Sequence, residues 1–402
     1  MKLYFYQKNN NIATYTYELL KYLAIKNGHE VVGSTTDADL CCVSLTSMLE
    51  MDDIRIFRKK NPGVKIIVGG HACNGAAALL RYCDYVNLGH GFEFFRDCKR
   101  IEDISEKEYI ITDTKREGKL SHYINWDLVP LVKISNKSYS ILYSVGCRMN
   151  CKFCLTSAIN KYQVNPNSSK IYKAKKHAAG NQLYLITNDF DGNVNVKRNV
   201  SDIRIREYLK KPDEFENIKL LRLGVECVKE ENRKNLGKAI SDDELRELFK
   251  LTKNKGKRMN LFYMAGFEST EEWEGMAELL EQDYDGKPKI GLILNYFDPQ
   301  ALTKMETFDL TKLKEINIPH IKRVLKTKSA RIIIFRDLKI APYNAMKSSM
   351  LSRCNAGQVD NILELKKMKH KRMVDFFSDA DKMGLSNILR GGNDSEVKVV
   401  IK

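Results

Sequence analysis

CRMNCKFC, residues 147–154, sets three cysteines at C-x-x-x-C-x-x-C spacing directly after an apolar run, SILYSVG (140–146). A run of this length before a glycine reads as a strand, so the thiols fall on the loop at its end. Three thiolates can each hold one iron of a cubane cluster, and iron-sulfur centres suit such soft ligands. The fourth iron then has no protein ligand. Zinc is the competing metal, but a structural zinc site needs four ligands and no second C-x-x-C pair follows; only His177 could complete one.

Outward from this loop the chain alternates strand-like and helix-like stretches. Downstream lie QLYLITND, KLLRLGVE, RMNLFYMAGF and KIGLILNYF, separated by SDDELRELFKLTKNKG and STEEWEGMAELLEQ. Ser241 is a helix start, and Ser269 with Glu272 spells an S-x-x-E capping box. Five or six such units, short of eight, predict a partial (β/α)6 TIM-type barrel open on one side. Upstream, KLYFY, ATYTYELLKYLAIKNG, HEVV, ADLCCVSL, VKIIVGG, GAAALLRYC and DYVNLG predict a doubly wound parallel sheet with Gly69, Gly70, Gly89 and Gly91 just past strand ends. The expected organisation is a Rossmann-type domain over 1–100, a connector over 101–138, the barrel over 139–310 and a basic, helical C-terminal region over 311–402. The last stretch, GGNDSEVKVVIK, reads as a loose tail.

The chain has 402 residues, 43% of them hydrophobic, enough to bury several cores. No 18-residue apolar run or export signal is evident, so a cytoplasmic protein with no membrane contact is expected. Its ten cysteines at irregular spacing then point to reduced thiols and metal chemistry over a disulfide framework. Cys41, Cys42 and Cys83 lie in apolar patterns and read as core. Of the net charge of +16, the last 102 residues carry +10, from 21 Lys and Arg against 11 Asp and Glu. That basic quarter is either a solvated face or a binding surface for DNA or RNA, with KRVLKTKSAR (322–331) and Lys366, Lys367, Lys369, Lys371 and Arg372 as candidate phosphate contacts.

C-x-x-x-C-x-x-C with Phe153 before its last cysteine resembles the defining motif of the radical S-adenosylmethionine (SAM) superfamily. The resemblance implies a 4Fe-4S cluster on Cys147, Cys151 and Cys154, whose open iron chelates SAM and whose reduced form cleaves it to a 5'-deoxyadenosyl radical. LYLITNDFDGN is similar to the family's second-strand element, which places Asn188 and Asp189 near the SAM amino end. LRLGVECVKEENRKNLGKAISDDEL resembles the stretch in which Glu226 would face the ribose or amino group. RMNLFYMAGFESTEEWEG is similar to the fifth-strand motif, with Met264 to Gly266 presenting backbone to adenine. The segment MAGFEST lacks that motif's proline, and PQAL lacks the glycine of the sixth-strand element. A flavodoxin- or ferredoxin-like reductant protein is the implied partner.

Over roughly residues 1–310 the chain also resembles radical SAM enzymes with an N-terminal cobalamin-binding-type domain, through VSLTS, IIVGGHA, CDYVNLGHGFEFF and INWDLVPL. The element that supplies an axial histidine after the first strand is missing: the chain reads QKNNNIAT there. Either cobalamin binds without it, held by Ser44, Thr46, Gly69 and Gly70, or the domain has lost the cofactor. His90, standing where the landmark has Glu, favours loss. His71 and Cys73, after the fourth strand, are either a second metal site or an incidental His-x-Cys. The tRNA methylthiotransferases share the arrangement of domains but add three N-terminal cysteines, of which Cys42 and Cys73 could be two.

The leading expectation is a radical SAM enzyme that tailors a nucleic-acid base, for example modifying or isomerising a hypermodified thymine in DNA, with substrate entering near Tyr296 and the basic region. The alternatives are a cobalamin-type methylase or isomerase of a peptide or small metabolite, a methylthiotransferase-like enzyme, and a noncatalytic metal-containing nucleic-acid-binding protein.

Overall fold

The computed structural model describes the chain except residues 9–13, 179–181, 188, 190–202, 217, 219, 277–289, 325–329, 334–340, 366–369, 371 and 402. Its first part follows the apolar periodicity closely: β1 (Lys2–Phe5), α1 (Tyr15–Lys26), β2 (Glu30–Val31), β3 (Leu40–Ser44), α2 (Met51–Lys60), β4 (Lys65–Gly69), α3 (Ala76–Leu79), β5 (Tyr85–Asn87), α4 (Gly91–Asp97) and β6 (Ile110–Ile111). The sheet runs β2-β1-β3-β4-β5-β6, parallel except for β6 on the edge. Crossing from β1 to β3 reverses the winding, and ligands bind such sheets beyond the strand ends at that point. Leu40 to Val43 and Ile66 to Val68 are buried on both sides, as a sheet covered by helices requires.

The connector holds β7 (Glu117–Lys119) and β8 (Val132–Ser135). After it come β9 (Ser138–Leu142), β10 (Ser144–Val145), α5 (Leu155–Ile159), β11 (Gln163–Val164), α6 (Ser168–His177) and β12 (Gln182–Ile186). Then follow α7 (Ile205–Lys210), β13 (Leu220–Glu226), α8 (Glu230–Asn235), α9 (Asp242–Asn254), β14 (Arg258–Ala265) and β15 (Ile290–Tyr296). Among the described residues these strands form two sheets where one was expected. One has the order β12-β9-β8, with β12 and β9 parallel; the other is β13-β14-β15-β16, all parallel, closed by β16 (Ala330–Ile333). The Ser241 capping box on α9 forms as its sequence predicts, and Glu272 accepts from the Ser269 amide at 2.6 Å.

The C-terminal region, expected to be basic and helical, also contributes to the core. After α10 (Ile318–Val324), helix α11 (Ala341–Arg353) packs against β15, α3 and the turns at 48–50 and 71–75, joining the first sheet to the last. It buries Met346, Ser348, Ser349, Met350, Ser352 and Arg353, and even Lys347 is buried. Helices α12 (Val359–Leu365), α13 (Met373–Lys382) and α14 (Ser386–Leu389) stack around it. The tail is also ordered: β17 (Lys398–Val400) pairs in parallel with β7 of the connector. No helix among the described residues is long and apolar enough to cross a membrane.

Candidate functional site

The cysteine loop joins β10 to α5, at the end of the strand run that starts the second part of the chain. Gly146, with φ of 74°, turns the chain into it; a Cβ there would stand 2.6 Å from the Lys161 carbonyl oxygen. Glycine is therefore required both for backbone angle and for space. The loop is docked from the other side by the residues after α8: the Lys152 amide donates to the Leu236 carbonyl at 3.0 Å, and Gly237 passes close to the Asn150 carbonyl. Cys151 is buried, while Cys147 and Cys154 are partly exposed. Burial raises the thiol of Cys147 and pushes that of Cys151 up to about 11. The three cysteines sit close enough to perturb one another electrostatically.

Among the described residues no three His, Cys, Asp or Glu side chains converge on one point that a single ion could fill. Cubane geometry asks for something else, one thiolate to each of three irons, and a loop spreading its cysteines fits that donor set. His177, the fourth ligand a zinc site would call on, packs edge-on against the Tyr139 ring at 5.4 Å.

Asp189 is 2% exposed. Its carboxylate takes the Arg148 amide at 2.8 Å, the Arg148 Nε and Nη2 at 3.0 Å each, and a further bond from Arg204. Burial alone would raise this carboxyl, but the donors from Arg148 outweigh it and hold it below the usual range. Arg148 lies between Cys147 and Met149, so Asp189 anchors the cysteine loop itself. Asn188 lies outside the described residues.

Glu226 ends β13 with φ of 77°, an uncommon angle for a residue with a side chain. Its carboxylate meets the Lys238 ammonium at 3.1 Å. Burial alone would depress that lysine; Glu226 and Cys151 overcome it and keep the ammonium charged. In return Lys238 draws the Cys151 thiol back down. Lys238 lies within the stretch that resembles the family, yet nothing in the sequence marked it as the cation beside the cysteines. Phe153 is partly buried against the core, and Met264 is buried at the end of β14. Gly266 has φ of 113°, and a Cβ there would come 2.8 Å from Leu313. Tyr296 is half-buried at the end of β15, and burial pushes its phenol up to about 12.

A cavity of about 350 Å3 opens at the strand ends of the first sheet and reaches β9, β10 and β12 of the second part. Ser44, Thr46, Gly69 and Gly70 all line it, as do Cys42, His71, Cys73 and His90. Its inner wall is apolar, formed by Leu19, Leu20 and Leu23 of α1 and Phe92 and Phe95 of α4. Burial, with His122 and His71 nearby, holds His90 neutral, down to about 4, and its Nε2 has no partner among the described residues. Cys42 and Cys73 are buried, and burial raises both thiols, Cys73 to about 12. A second, polar cavity of about 230 Å3 adjoins the first through Thr46 and His71. It is walled by Leu155 and Thr156, directly after Cys154, and by Asn74, Asp298, Gln300 and Ser348. Asp298, Asn74 and Gln300 are cavity-lining residues that the sequence reading did not single out.

No protein-family model matches the sequence, and no curated protein matches it. Solved structures do match its fold. The radical SAM methyltransferase TsrM of Kitasatospora setae, with cobalamin and a [4Fe-4S] cluster bound, aligns over 73% of this chain and 72% of its own at 13% identity and a TM-score of 0.52. The same enzyme with tryptophan substrate and the SAM analogue aza-SAM aligns over 72% of each chain at 14% identity and a TM-score of 0.51. The cobalamin-dependent SAM radical enzyme OxsB gives a TM-score of 0.48 over 70% of this chain and 51% of its own. The fold of this chain is thus similar to that of cobalamin-dependent radical SAM enzymes, with a cobalamin-binding-like sheet at its N-terminus.

Proposed function

We propose that this chain is a radical SAM enzyme of the cobalamin-dependent type, acting on a small molecule or peptide by methylation or isomerisation. The observation that carries this reading is the three-cysteine loop with the Glu226–Lys238 pair placed against it at strand ends. The sheets β12-β9-β8 and β13-β14-β15-β16 are read as sectors of one partial barrel that runs past residue 310 to β16, and the N-terminal domain as running past residue 100 to β6. Cys147, Cys151 and Cys154 would hold a 4Fe-4S cluster, which when reduced supplies the electron that splits SAM into methionine and a 5'-deoxyadenosyl radical.

The protein's own residues prepare that site. Arg148 and Asp189 fix the loop, and the Met149 amide donates to the Cys147 sulfur at 3.4 Å. Lys238 offsets the negative charge that thiolates and Glu226 gather in a buried place. Phe153, Asn188, Glu226, Met264 and Gly266 are the proposed SAM contacts, and Asp189, which the family resemblance counts among them, has another part. Because Asp189 is already saturated by arginine donors, its part is to position the loop.

The residues present suit part of a cobalamin. The apolar chamber behind Ser44, Thr46, Gly69 and Gly70 and the unpartnered His90 imidazole suit the nucleotide tail of a corrinoid. At about 350 Å3, near the lower end for small-ligand pockets, the cavity does not take a whole macrocycle. This cavity turns the balance from loss of the cofactor towards retention. The nucleic-acid reading lacks comparable support: Lys366, Lys367, Lys369 and Lys371 lie outside the described residues, and α11 spends its surface on packing. The methylthiotransferase-like reading needs a third N-terminal cysteine beside Cys42 and Cys73, and both of these thiols are buried.

The test is anaerobic reconstitution with iron and sulfide, then dithionite and SAM, with 5'-deoxyadenosine followed by mass spectrometry. The product should form with the natural chain and vanish in Cys151→Ala; retained cleavage in that variant would overturn the assignment. Added hydroxocobalamin should co-elute with the protein and show a shifted visible spectrum, and free passage through the column would remove the cobalamin part alone.

A further inference from the structure

We infer that the 230 Å3 cavity beside the cysteine loop is a subsite for the amino group of a small amine substrate. The inference rests on the radical SAM reading and adds to it the chemical class of substrate. The cavity lies between the strand-end turns of the first sheet, the start of α5 immediately after Cys154, and the end of β15. A group seated there is beside the loop that would carry the reactive centre, and in contact with both parts of the chain.

Its polarity is set by a chain of hydrogen bonds that starts at a carboxyl group. Asp298 accepts from the Gln300 amide nitrogen and from the Ser348 hydroxyl. With its Nε2 held by Asp298 and by Ser348 Oγ at 3.1 Å, Gln300 must turn its oxygen to Asn74, whose Nδ2 donates to it at 3.0 Å and to the Ala301 carbonyl at 3.5 Å. Both acceptors around Asn74 Nδ2 fix the orientation of that amide, which is otherwise ambiguous. Asn74 Oδ1 is therefore left as an acceptor. The residue is 5% exposed, and that oxygen has no partner among the described residues.

An unpaired buried acceptor costs free energy that a donor from a ligand would recover. Burial keeps the Asp298 carboxyl protonated below about pH 7; an ammonium seated beside it would favour the ionised form, which has lone-pair capacity beyond its two donors. No Lys or Arg lines the cavity. The cation that Asp298 does feel, Arg353, donates instead to the carbonyls of Glu306 and Phe308 and to Ser349. In a protein of net charge +16, this is a pocket of acceptors. It suits an ammonium or a donor-rich amino alcohol and disfavours a phosphate or carboxylate, whose oxygens would face Asp298 unshielded.

The experiment is saturation-transfer NMR on the cluster-loaded full chain, with ethanolamine, acetate and dimethyl phosphate as probes. Ethanolamine should give signal and the two anions none. Asp298→Asn should weaken ethanolamine roughly tenfold, the scale of one charge-assisted hydrogen bond. Asn74→Ala, which leaves the carboxylate in place, should weaken it by a smaller factor and decides the matter if Asp298→Asn does not fold. Equal binding of acetate or dimethyl phosphate, no ethanolamine signal, or unchanged ethanolamine binding in the folded variants would overturn the subsite. Deoxyadenosine formation by the natural chain is scored separately: its absence alongside amine binding would defeat the enzymatic reading and leave the subsite standing, and the reverse result would defeat only the subsite.

Discussion

Lys238 and Asp298 are the two residues whose charge decides most at this site. Replacing Lys238 with Met leaves the half-buried Glu226 without its partner and removes a cation that acts on Cys151. SAM cleavage should fall about 10- to 100-fold, the usual cost of losing a group that supports metal ligands, and Lys238→Arg should recover part of it. A variant as active as the parent would show that the ammonium has no part in the chemistry. For Asp298, burial opposed by Ser348 and Gln300 places the carboxyl at about 7, against 3.8 for the unperturbed group. The folded protein then keeps a proton that the unfolded chain has released. That stabilisation is complete below the unfolded value and is lost as pH rises through about 7. Arg353, pushed down by burial to about 10, stays charged over this range, and His71, whose pKa is lowered, stays neutral at its upper end. The melting temperature of the parent should therefore drop relative to Asp298→Asn between about pH 5.5 and about pH 8. A gap that does not change with pH would refute the buried-acid description.

Among the elements, the cysteine loop depends on contacts far away in sequence. Asp189→Ala would release Arg148 and Arg204 together, at a cost of about 2 kcal/mol and with roughly tenfold weaker iron loading, measured by denaturant melts and iron content. Unaltered loading would mean that the loop holds its shape unaided. Here the limits of sequence reading are physical. Strands β1, β3, β4, β13, β14 and β15 and the Ser241 cap were legible because apolar periodicity and capping are local. The cysteine spacing was legible because all three thiols fall within one short loop of the sequence. The pairs Asp189 with Arg148 and Glu226 with Lys238, and the path from Asn74 through Gln300 to Asp298, join residues whose meeting depends on tertiary packing. The packing of helix α11 escaped notice for another reason: APYNAMKSSMLSR has serines and a lysine where a buried helix would show apolar residues. Strand β17 escaped notice because its partner, β7, is short and lies in the connector.

At the scale of the molecule, a few polar ties and one helix hold the two parts together. Tyr15 of α1 donates to the Pro130 carbonyl at 3.2 Å and accepts from the Leu142 amide at 2.9 Å, so one hydroxyl spans from the first sheet's helix to β9. Tyr15→Phe would strand that buried amide. The expected loss is about 1–3 kcal/mol, seen as a lower denaturation midpoint, and an unchanged midpoint would show that the joint does not rely on it.

Helix α11 carries a consequence for the order in which the protein comes into being. Gly75 lies so close beneath it that a Cβ would stand 3.2 Å from the Leu351 carbonyl and 2.5 Å from Met48. The surface around Met48 and Ala76 to Leu79 is thus finished only by residues that leave the ribosome long after the first sheet can fold. Until then a nascent chain holding both sheets carries an uncovered greasy seam where the parts should meet. That seam is a natural footing for a chaperone and a hazard for any shortened version, which would be expected to stick to its neighbours even with every strand in place.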